Sequence, residues 1–222
     1  MKNLIKLSEV QINQLFQFTE KKMVHWYDLQ IEIVDHLASS IEDEMAADSN
    51  LTFELALERV YTGFGIFGFA KIVQERQIQL AKMAKKRWWN EFLNLFKWPK
   101  VLLVLFIVSL ITTIAYAVDS NILHDLFFSI YLVICAANFI YIIKDSRLLK
   151  RLLVLQFGSN YILIQYLFDF NIALGVLNNN QLSPIAFSIF LSLGVIIKLI
   201  SFKLYYNLRS ESKLLYPSVF SK

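Results

Sequence analysis

The stretch that decides the fold is Val101-Leu-Leu-Val-Leu-Phe-Ile-Val-Ser-Leu-Ile-Thr-Thr-Ile-Ala-Tyr-Ala-Val118, an unbroken run without a charged side chain. A run of this length can cross the hydrocarbon core of a bilayer as a helix, and it is longer than an ordinary core helix requires. Backbone polar groups in hydrocarbon find no water, so they must be paired within a helix. The sequence therefore predicts that the chain crosses a membrane at this run.

Three more apolar runs follow, and the sequence predicts four transmembrane helices. Their bounds are about 101–118, 126–143, 152–170 and 183–203. Hydrophobic residues make up 56% of the chain, whereas soluble domains are about 45–50% apolar. The chain has six glycines and three prolines, too few for a loop-rich β protein. The predicted fold class is therefore all-α, with an N-terminal cytoplasmic helical bundle followed by a four-helix transmembrane domain.

The charges that flank the four runs predict their orientation. Basic residues cluster before the first run, between the second and third, and after the fourth: Lys82, Lys85, Lys86, Arg87, Lys97, Lys100; Lys144, Arg147, Lys150, Arg151; Lys203, Arg209, Lys213. The connections 119–125 and 176–184 contain no Lys or Arg. Positive segments stay in the cytoplasm, so we predict a multi-pass protein of the inner or plasma membrane with both termini cytoplasmic. Residues 1–10 carry charges and no apolar h-region, so a cleavable signal is not predicted.

Two residues inside the runs invite a functional interpretation. Charges within a span mark functional sites by default, but Lys198 lies about one turn from the predicted cytoplasmic end, where a lysine stem can reach the interface. We interpret Lys198 as such an interfacial residue. Cys135 is the single cysteine, so an internal disulfide is excluded, and its apolar surroundings indicate a small packing residue.

The segment before the first run divides into a helical bundle, 1–81, and a basic, aromatic juxtamembrane helix, 82–100. Ser8 and Gln11 have capping-box spacing and predict a helix from Glu9 to about Phe18. Apolar periodicity predicts a second helix over roughly 23–46. Thr52 is placed to cap a third helix that ends near Thr62, and a fourth is predicted from near Ile66. Residues 101–208 are then the transmembrane domain, and 209–222 a cytoplasmic tail.

The juxtamembrane helix combines tryptophans with basic residues beside the first run. This combination is typical of a helix at the headgroup level of a membrane. A basic stretch with aromatics also suits nucleic acid, but the position of these tryptophans beside a span favours lipid, so no direct nucleic-acid binding is predicted. The candidate lipid headgroup contacts are Lys85, Lys86, Arg87, Trp88, Trp89, Lys97 and Trp98.

Two motifs in the bundle resemble sites of other proteins. Residues 63–68 match G-x-G-x-x-G, but a helix precedes them and no acid follows at the distance that a ribose requires, so we predict a helix-to-helix turn and no cofactor. Asp35 and His36 are adjacent on a helix and point about 100° apart, whereas Glu32 and His36 are spaced to meet. Neither set constitutes a catalytic or metal-binding group, so the sequence predicts no metal site and a protein that is not an enzyme.

A resemblance is carried by Glu32-Ile-Val-Asp35-His36-Leu-Ala-Ser-Ser-Ile41-Glu42, followed by Thr52-Phe-Glu54-Leu-Ala56 and Phe64-Gly65. About residues 5–80 are similar to the HAAS-type helical domains at the N-terminus of small bacterial membrane proteins. Those proteins typically accompany PadR-like transcription regulators. The resemblance implies that the bundle contacts such a regulator, and the candidate partner surface is Glu32, Asp35, His36 and Glu42.

Two functions remain open at the level of the sequence. The first is a membrane-anchored interaction or regulatory protein, with the lipid bilayer and a protein partner, or a second copy of the chain, as its partners. Small residues such as Gly158 and Gly194 leave room for close helix packing and self-association. The alternative is a small transporter or channel subunit formed by the four spans, which requires polar residues that converge near the midplane.

Overall fold

The computed structural model of the chain describes residues 6–117, 120–178 and 184–221. Within these ranges the regular structure is helical and contains no strand, which confirms the all-α class. The end of the first predicted span at 118, the start of the fourth at 183 and parts of the connections 119–125 and 176–184 lie outside the described residues. The helices are α1 (Glu9–Lys21), α2 (Tyr27–Ala47), α3 (Phe53–Thr62), α4 (Ala70–Leu95), α5 (Lys100–Ala117), α6 (Ser120–Lys144), α7 (Ser146–Arg151), α8 (Leu153–Asn178), α9 (Pro184–Leu215) and α10 (Pro217–Phe220).

The chain forms two compact units. Unit 1 consists of Met1–Ala81 together with Leu148–Val154, and unit 2 consists of Lys82–Arg147 together with Leu155–Lys222. Unit 1 therefore contains the N-terminal helices and a short segment that covers the end of the connection between the second and third predicted spans and the first three residues of the third, 152–154.

The first helices of unit 1 begin where local side-chain bonds satisfy free amides. The Ser8 hydroxyl accepts from the Gln11 amide and the Ser8 amide donates to Gln11 Oε1 at 2.8 Å, so the predicted capping box is confirmed. The Thr52 hydroxyl caps α3 by accepting from the amide of Leu55. Helix α2 begins at Tyr27 rather than near residue 23, because Met23 has a φ of 68° and cannot continue or start a helix. The core of α1, α2 and α3 is mainly aliphatic, with one aromatic ring from α3: Leu15, Leu29, Ile33, Leu37, Ile41, Phe53 and Ala56.

The predicted helix-to-helix turn lies between α3 and α4. Gly65 and Gly68 have φ values of 74° and 49°, a conformation that favours glycine. The fourth helix therefore begins at Ala70 and not near Ile66. It then runs to Leu95 without a break and includes most of the predicted juxtamembrane helix.

Unit 2 contains the remaining long helices. Helix α5 packs against α9 and touches α6. Gly158 of α8 allows a close approach of α9, because a Cβ at this position would lie 2.8 Å from Leu208 Cδ1 and 3.5 Å from Tyr205 Cδ2. Helix α9 extends well past the predicted end of the fourth span and is followed by α10, whose Val219 is buried.

Among the described residues, no single helix combines the length and the apolarity that a membrane crossing requires. Helix α4 and the Lys100–Ile114 part of α5 meet this requirement together, as a pair bent by 74°. Leu132–Lys144 and Leu153–Ile164 are shorter apolar stretches. The crossing of a membrane by four helices stays a prediction.

Candidate functional site

The four residues of the candidate partner surface differ in how far they are free to bind. Glu32 forms an ion pair with Arg76 at 3.5 Å, so it does not serve as the partner of His36 that its spacing suggested. Glu42 Oε1 accepts from the Leu7 amide at 2.9 Å and ties the start of the chain to α2. Asp35 and His36 are exposed. These two residues are therefore the part of the predicted surface that is open to a partner.

The turn between α3 and α4 presents a second open surface. Ile66 is 100% exposed and Phe67 is 81% exposed. Behind them, an aromatic cluster holds the turn: Phe69 is buried, with ring centroids of Tyr61 at 5.2 Å and Phe64 at 5.1 Å in edge contacts. Two large apolar side chains are thus presented to the outside by a structured turn. The sequence predicts the turn but gives no signal for the exposure of these side chains.

Asp28 connects α2 to the segment Leu148–Val154 of unit 1. Its carboxylate is buried; Oδ1 accepts from the amide of Leu153 at 3.0 Å, and Oδ2 from the amide of Val154 at 3.1 Å. These are the first amides of α8, which have no partner inside their own helix. Burial raises the pKa of the Asp28 carboxyl, although the hydrogen bonds from Leu153, Val154 and Leu29 act in the opposite direction. The sequence gives no signal for this contact, because the partners are far apart along the chain.

The seven candidate headgroup residues divide into packed and exposed groups. Arg87 binds both carboxylate oxygens of Glu211, at 2.9 and 2.8 Å. The Trp88 ring stacks on Phe92 and its Nε1 donates to Ser201 at 3.1 Å. The exposed members are Lys85, Lys86, Trp89, Lys97 and Trp98. Their contact with lipid stays a prediction.

A partly buried network of charged and polar side chains lies in unit 2, at the end of α6. The Asp145 carboxylate accepts from the Tyr205 hydroxyl at 2.9 Å and from Arg209 Nε at 2.6 Å. The Arg209 guanidinium also lies over the Phe220 ring of α10. Burial, together with the neighbouring Asp145 carboxylate, raises the pKa of Tyr205 far above its ordinary value. The hydrogen bond to Asp145 raises the pKa of Arg209. The network joins the end of α6 to α9 and α10, and its role is to stabilise the packing of these helices.

The structure places Lys198 in the interior of unit 2, whereas its position in the sequence predicted a side chain that reaches the membrane interface. The residue is 6% exposed, and its ammonium lies 2.6 Å from the Cys135 thiol and 5.6 Å from the centroid of the Tyr166 ring. The Tyr166 hydroxyl donates to the Cys135 carbonyl at 2.8 Å. The lysine therefore lies inside unit 2 among α6, α8 and α9.

No group of three His, Cys, Asp or Glu side chains in the described ranges is arranged to hold a metal ion.

No protein-family model, curated protein or solved structure matches the chain. The similarity to HAAS-type domains rests on the residues quoted above and stays a prediction.

Proposed function

We propose that this chain is a membrane-anchored interaction protein. Helices α5, α6, α8 and α9 cross the inner or plasma membrane, and the N-terminal helices bind a protein in the cytoplasm. The HAAS-type resemblance implies a PadR-like transcription regulator as that partner. In this role the bundle holds or senses the regulator, and the membrane helices fix it at the bilayer.

The membrane part of the proposal is supported by the surface of α5 and α6. Helix α5 exposes large apolar side chains: Leu103, Leu105 and Phe106 are 62%, 59% and 67% exposed. On α6, Val133 and Ile140 are 68% and 53% exposed. Soluble proteins rarely expose contiguous apolar surface of this extent. A bilayer would cover these side chains.

The proposed orientation is supported by the composition of unit 1. Asp28 of the N-terminal bundle bonds the amides of Leu153 and Val154, directly after the basic segment that contains Lys150 and Arg151. Groups joined by hydrogen bonds are on the same side of a membrane. This agrees with a cytoplasmic location for both the bundle and the basic connection.

The observation that carries partner binding is the exposure of Ile66 and Phe67 on a structured turn. Buried interface anchors are typically large apolar side chains on a rigid frame, since little conformational entropy is then lost on binding. The exposed Asp35 and His36 of α2 add polar groups of the kind found at an interface rim. We assign the contact with the partner to the turn residues Ile66 and Phe67 and to Asp35 and His36 of α2.

The test uses the full-length protein in native membranes, because deletion of the bundle would also uncover the buried Leu152 and Leu153. A photo-crosslinking residue at position 67 is compared with one at Val10, which is 69% exposed on α1. We expect position 67 to capture a soluble protein that the double variant Ile66→Ser/Phe67→Ser loses and Val10→Ser retains. A DNA-binding regulator in the captured band supports the proposal. Crosslinks to lipid alone, or equal capture from both positions, contradict it.

The buried Lys198 favours a second candidate function, a small transporter or channel subunit. An ammonium inside a membrane domain, next to a thiol and a phenol ring, is the kind of group that lines a substrate or ion path. Ion flux into proteoliposomes that depends on the protein and is abolished by Lys198→Met would support this function. Flux equal to that of protein-free vesicles would exclude it.

A further inference from the structure

A cleft in unit 2 has an apolar floor and a polar mouth. Its apolar part has a volume of about 380 Å³ and lies between the end of α4, α5 and α9, with one contribution from α6. Aliphatic side chains form its walls, among them Leu103, Ile107, Ile111, Val195 and Leu199. The volume falls in the range of about 300–1,000 Å³ that is typical of sites for small ligands.

A second cavity, of about 610 Å³, adjoins the first at Glu91 and Asn94, which line both. Its other walls combine the apolar Leu93 and Leu204 with amides from Asn90 and Asn207 and charges from Arg87 and Lys97. The two cavities together form one amphipathic cleft. An occupant that matches it has a hydrocarbon part and a polar part.

The charges at the mouth indicate the sign of the polar part. The Lys203 ammonium is 2.7 Å from Glu91, and Arg87 is paired with Glu211, so these two cations have carboxylate partners. Lys97 and Lys100 line the cleft and are exposed, and neither side chain has an ion pair in the described part of the chain. Two lysines are thus available to an anion that enters with a hydrocarbon chain. Phosphate is such an anion, and asparagine amides are suitable donors to its oxygens.

We infer that this cleft is a binding site for an anionic glycerophospholipid, with an acyl chain along α5 and α9 and the phosphate at Lys97 and Lys100. The inference rests on the proposed membrane location. It goes beyond a general attraction of basic residues to the bilayer surface, because it assigns one lipid to one cleft. Bound lipid would join the end of α4 to α5 and α9, the helices that line the cleft.

The experiment uses the full-length protein in nanodiscs of phosphatidylcholine with phosphatidylglycerol as the minor component. Native mass spectrometry then counts the phosphatidylglycerol that stays bound after release. We expect the wild type to retain it in preference to phosphatidylcholine. In Lys97→Gln/Lys100→Gln the preference should fall about 30-fold, since each basic residue near an anionic headgroup contributes about 1 kcal/mol and 1.4 kcal/mol is a factor of ten.

The matched control is Lys82→Gln/Lys86→Gln, which removes the same charge from exposed positions of α4 that do not line the cleft. It should keep the preference. A second variant, Ile107→Trp, fills the apolar part and should reduce retention of both lipids, whereas Phe106→Trp, outside the cleft, should not. Equal losses in the cleft and control variants overturn the inference, as does a wild type without preference or one that retains a peptide in the cleft.

Failure of the inference can be told apart from failure of the proposed function. If alkaline carbonate extracts the protein from membranes, the membrane location is wrong and the lipid site falls with it. If the protein stays in the membrane but retains no phosphatidylglycerol selectively, the lipid site alone is wrong.

Discussion

At the scale of single residues, Asp28 makes the most consequential contact. A carboxylate that receives the first amides of a helix satisfies donors that would otherwise lack a partner, and its charge suits the positive end of the helix dipole. Burial opposes the charge more strongly than these bonds favour it, and the pKa is raised. The contact between α2 and the start of α8 therefore depends on the protonation of one side chain.

This dependence predicts a pH effect with a defined sign. A raised pKa means that the folded chain holds the proton more tightly than the unfolded chain. The contribution of Asp28 to stability is then complete below the ordinary pKa of 3.8 and is lost as the pH rises through the pKa of the folded state. Hydrogen exchange at the Leu153 and Val154 amides, corrected for the intrinsic rate, measures this loss. The protection of both amides should fall as the pH rises from below 3.8 through the pKa of Asp28 in the folded state.

Two variants check the assignment. In Asp28→Asn this part of the pH dependence should disappear, because an amide side chain does not titrate in this range. Asp35→Asn changes an exposed carboxylate of the same helix and should keep the wild-type profile. An unchanged profile in Asp28→Asn would show that another group titrates.

The Asp145 network predicts a larger effect than an exposed ion pair. The side chains of Asp145 and Arg209 are 7% and 31% exposed, whereas those of Glu211 and Arg87 are 52% and 40% exposed. Asp145→Asn leaves a partly buried guanidinium without its counter-charge and should lower the free energy of unfolding by about 2–4 kcal/mol. Glu211→Gln should lower it by less than about 1 kcal/mol. Denaturant unfolding followed by helicity measures both, and equal losses would refute the structural role of the network.

At the scale of helices, the packing of α8 against α9 depends on Gly158. A Cβ at Gly158 would meet Leu208 and Tyr205, whereas a Cβ at Gly194 of α9 would meet nothing within 4 Å. Gly158→Val should therefore cost about 1–3 kcal/mol of unfolding free energy through overpacking. Gly194→Ala should be neutral or gain up to about 1 kcal/mol of helix propensity. Denaturant unfolding of both variants in nanodiscs, followed by helicity, measures these effects. Equal effects of the two substitutions would contradict the close approach of α8 and α9 at Gly158.

Helices whose ends are set by neighbouring residues were predictable from the sequence. The cap at Ser8 and the cap at Thr52 use side chains within three positions, and α1 and α3 begin where these caps predict. The start of α2 was not predictable, because nothing in the sequence marks the positive φ of Met23. Contacts between distant positions, such as Asp28 with Leu153 or Lys198 with Cys135, were also missed, since periodicity carries no information about which faces meet. The exposed Asp35 and His36 were predicted, but the exposed apolar turn was not.

At the scale of the whole molecule, the distribution of charged residues and the hydrogen bonds at Asp28 both bear on the proposed orientation of the chain in a membrane. Residues 1–81 contain seven Lys and Arg against twelve Asp and Glu, whereas the rest of the chain contains fifteen against six. The net positive charge thus lies in the part that carries the apolar helices, where it supports the proposed orientation. The net negative charge of the bundle disfavours contact with an anionic membrane surface and supports the proposed binding of a cytoplasmic partner.

The orientation predicts the reactivity of single cysteines introduced into a Cys135→Ala background. Cysteines at Ser49 of the bundle and at Lys150 of the basic connection should react with an impermeant maleimide only after the cells are permeabilised. A cysteine at Asn121, in the predicted outer connection, should react in intact cells. The hydrogen bonds that the Leu153 and Val154 amides donate to Asp28 require that positions 49 and 150 behave alike. Opposite behaviour of these two positions would refute the orientation, and protection of all three until lysis would refute the membrane crossing itself.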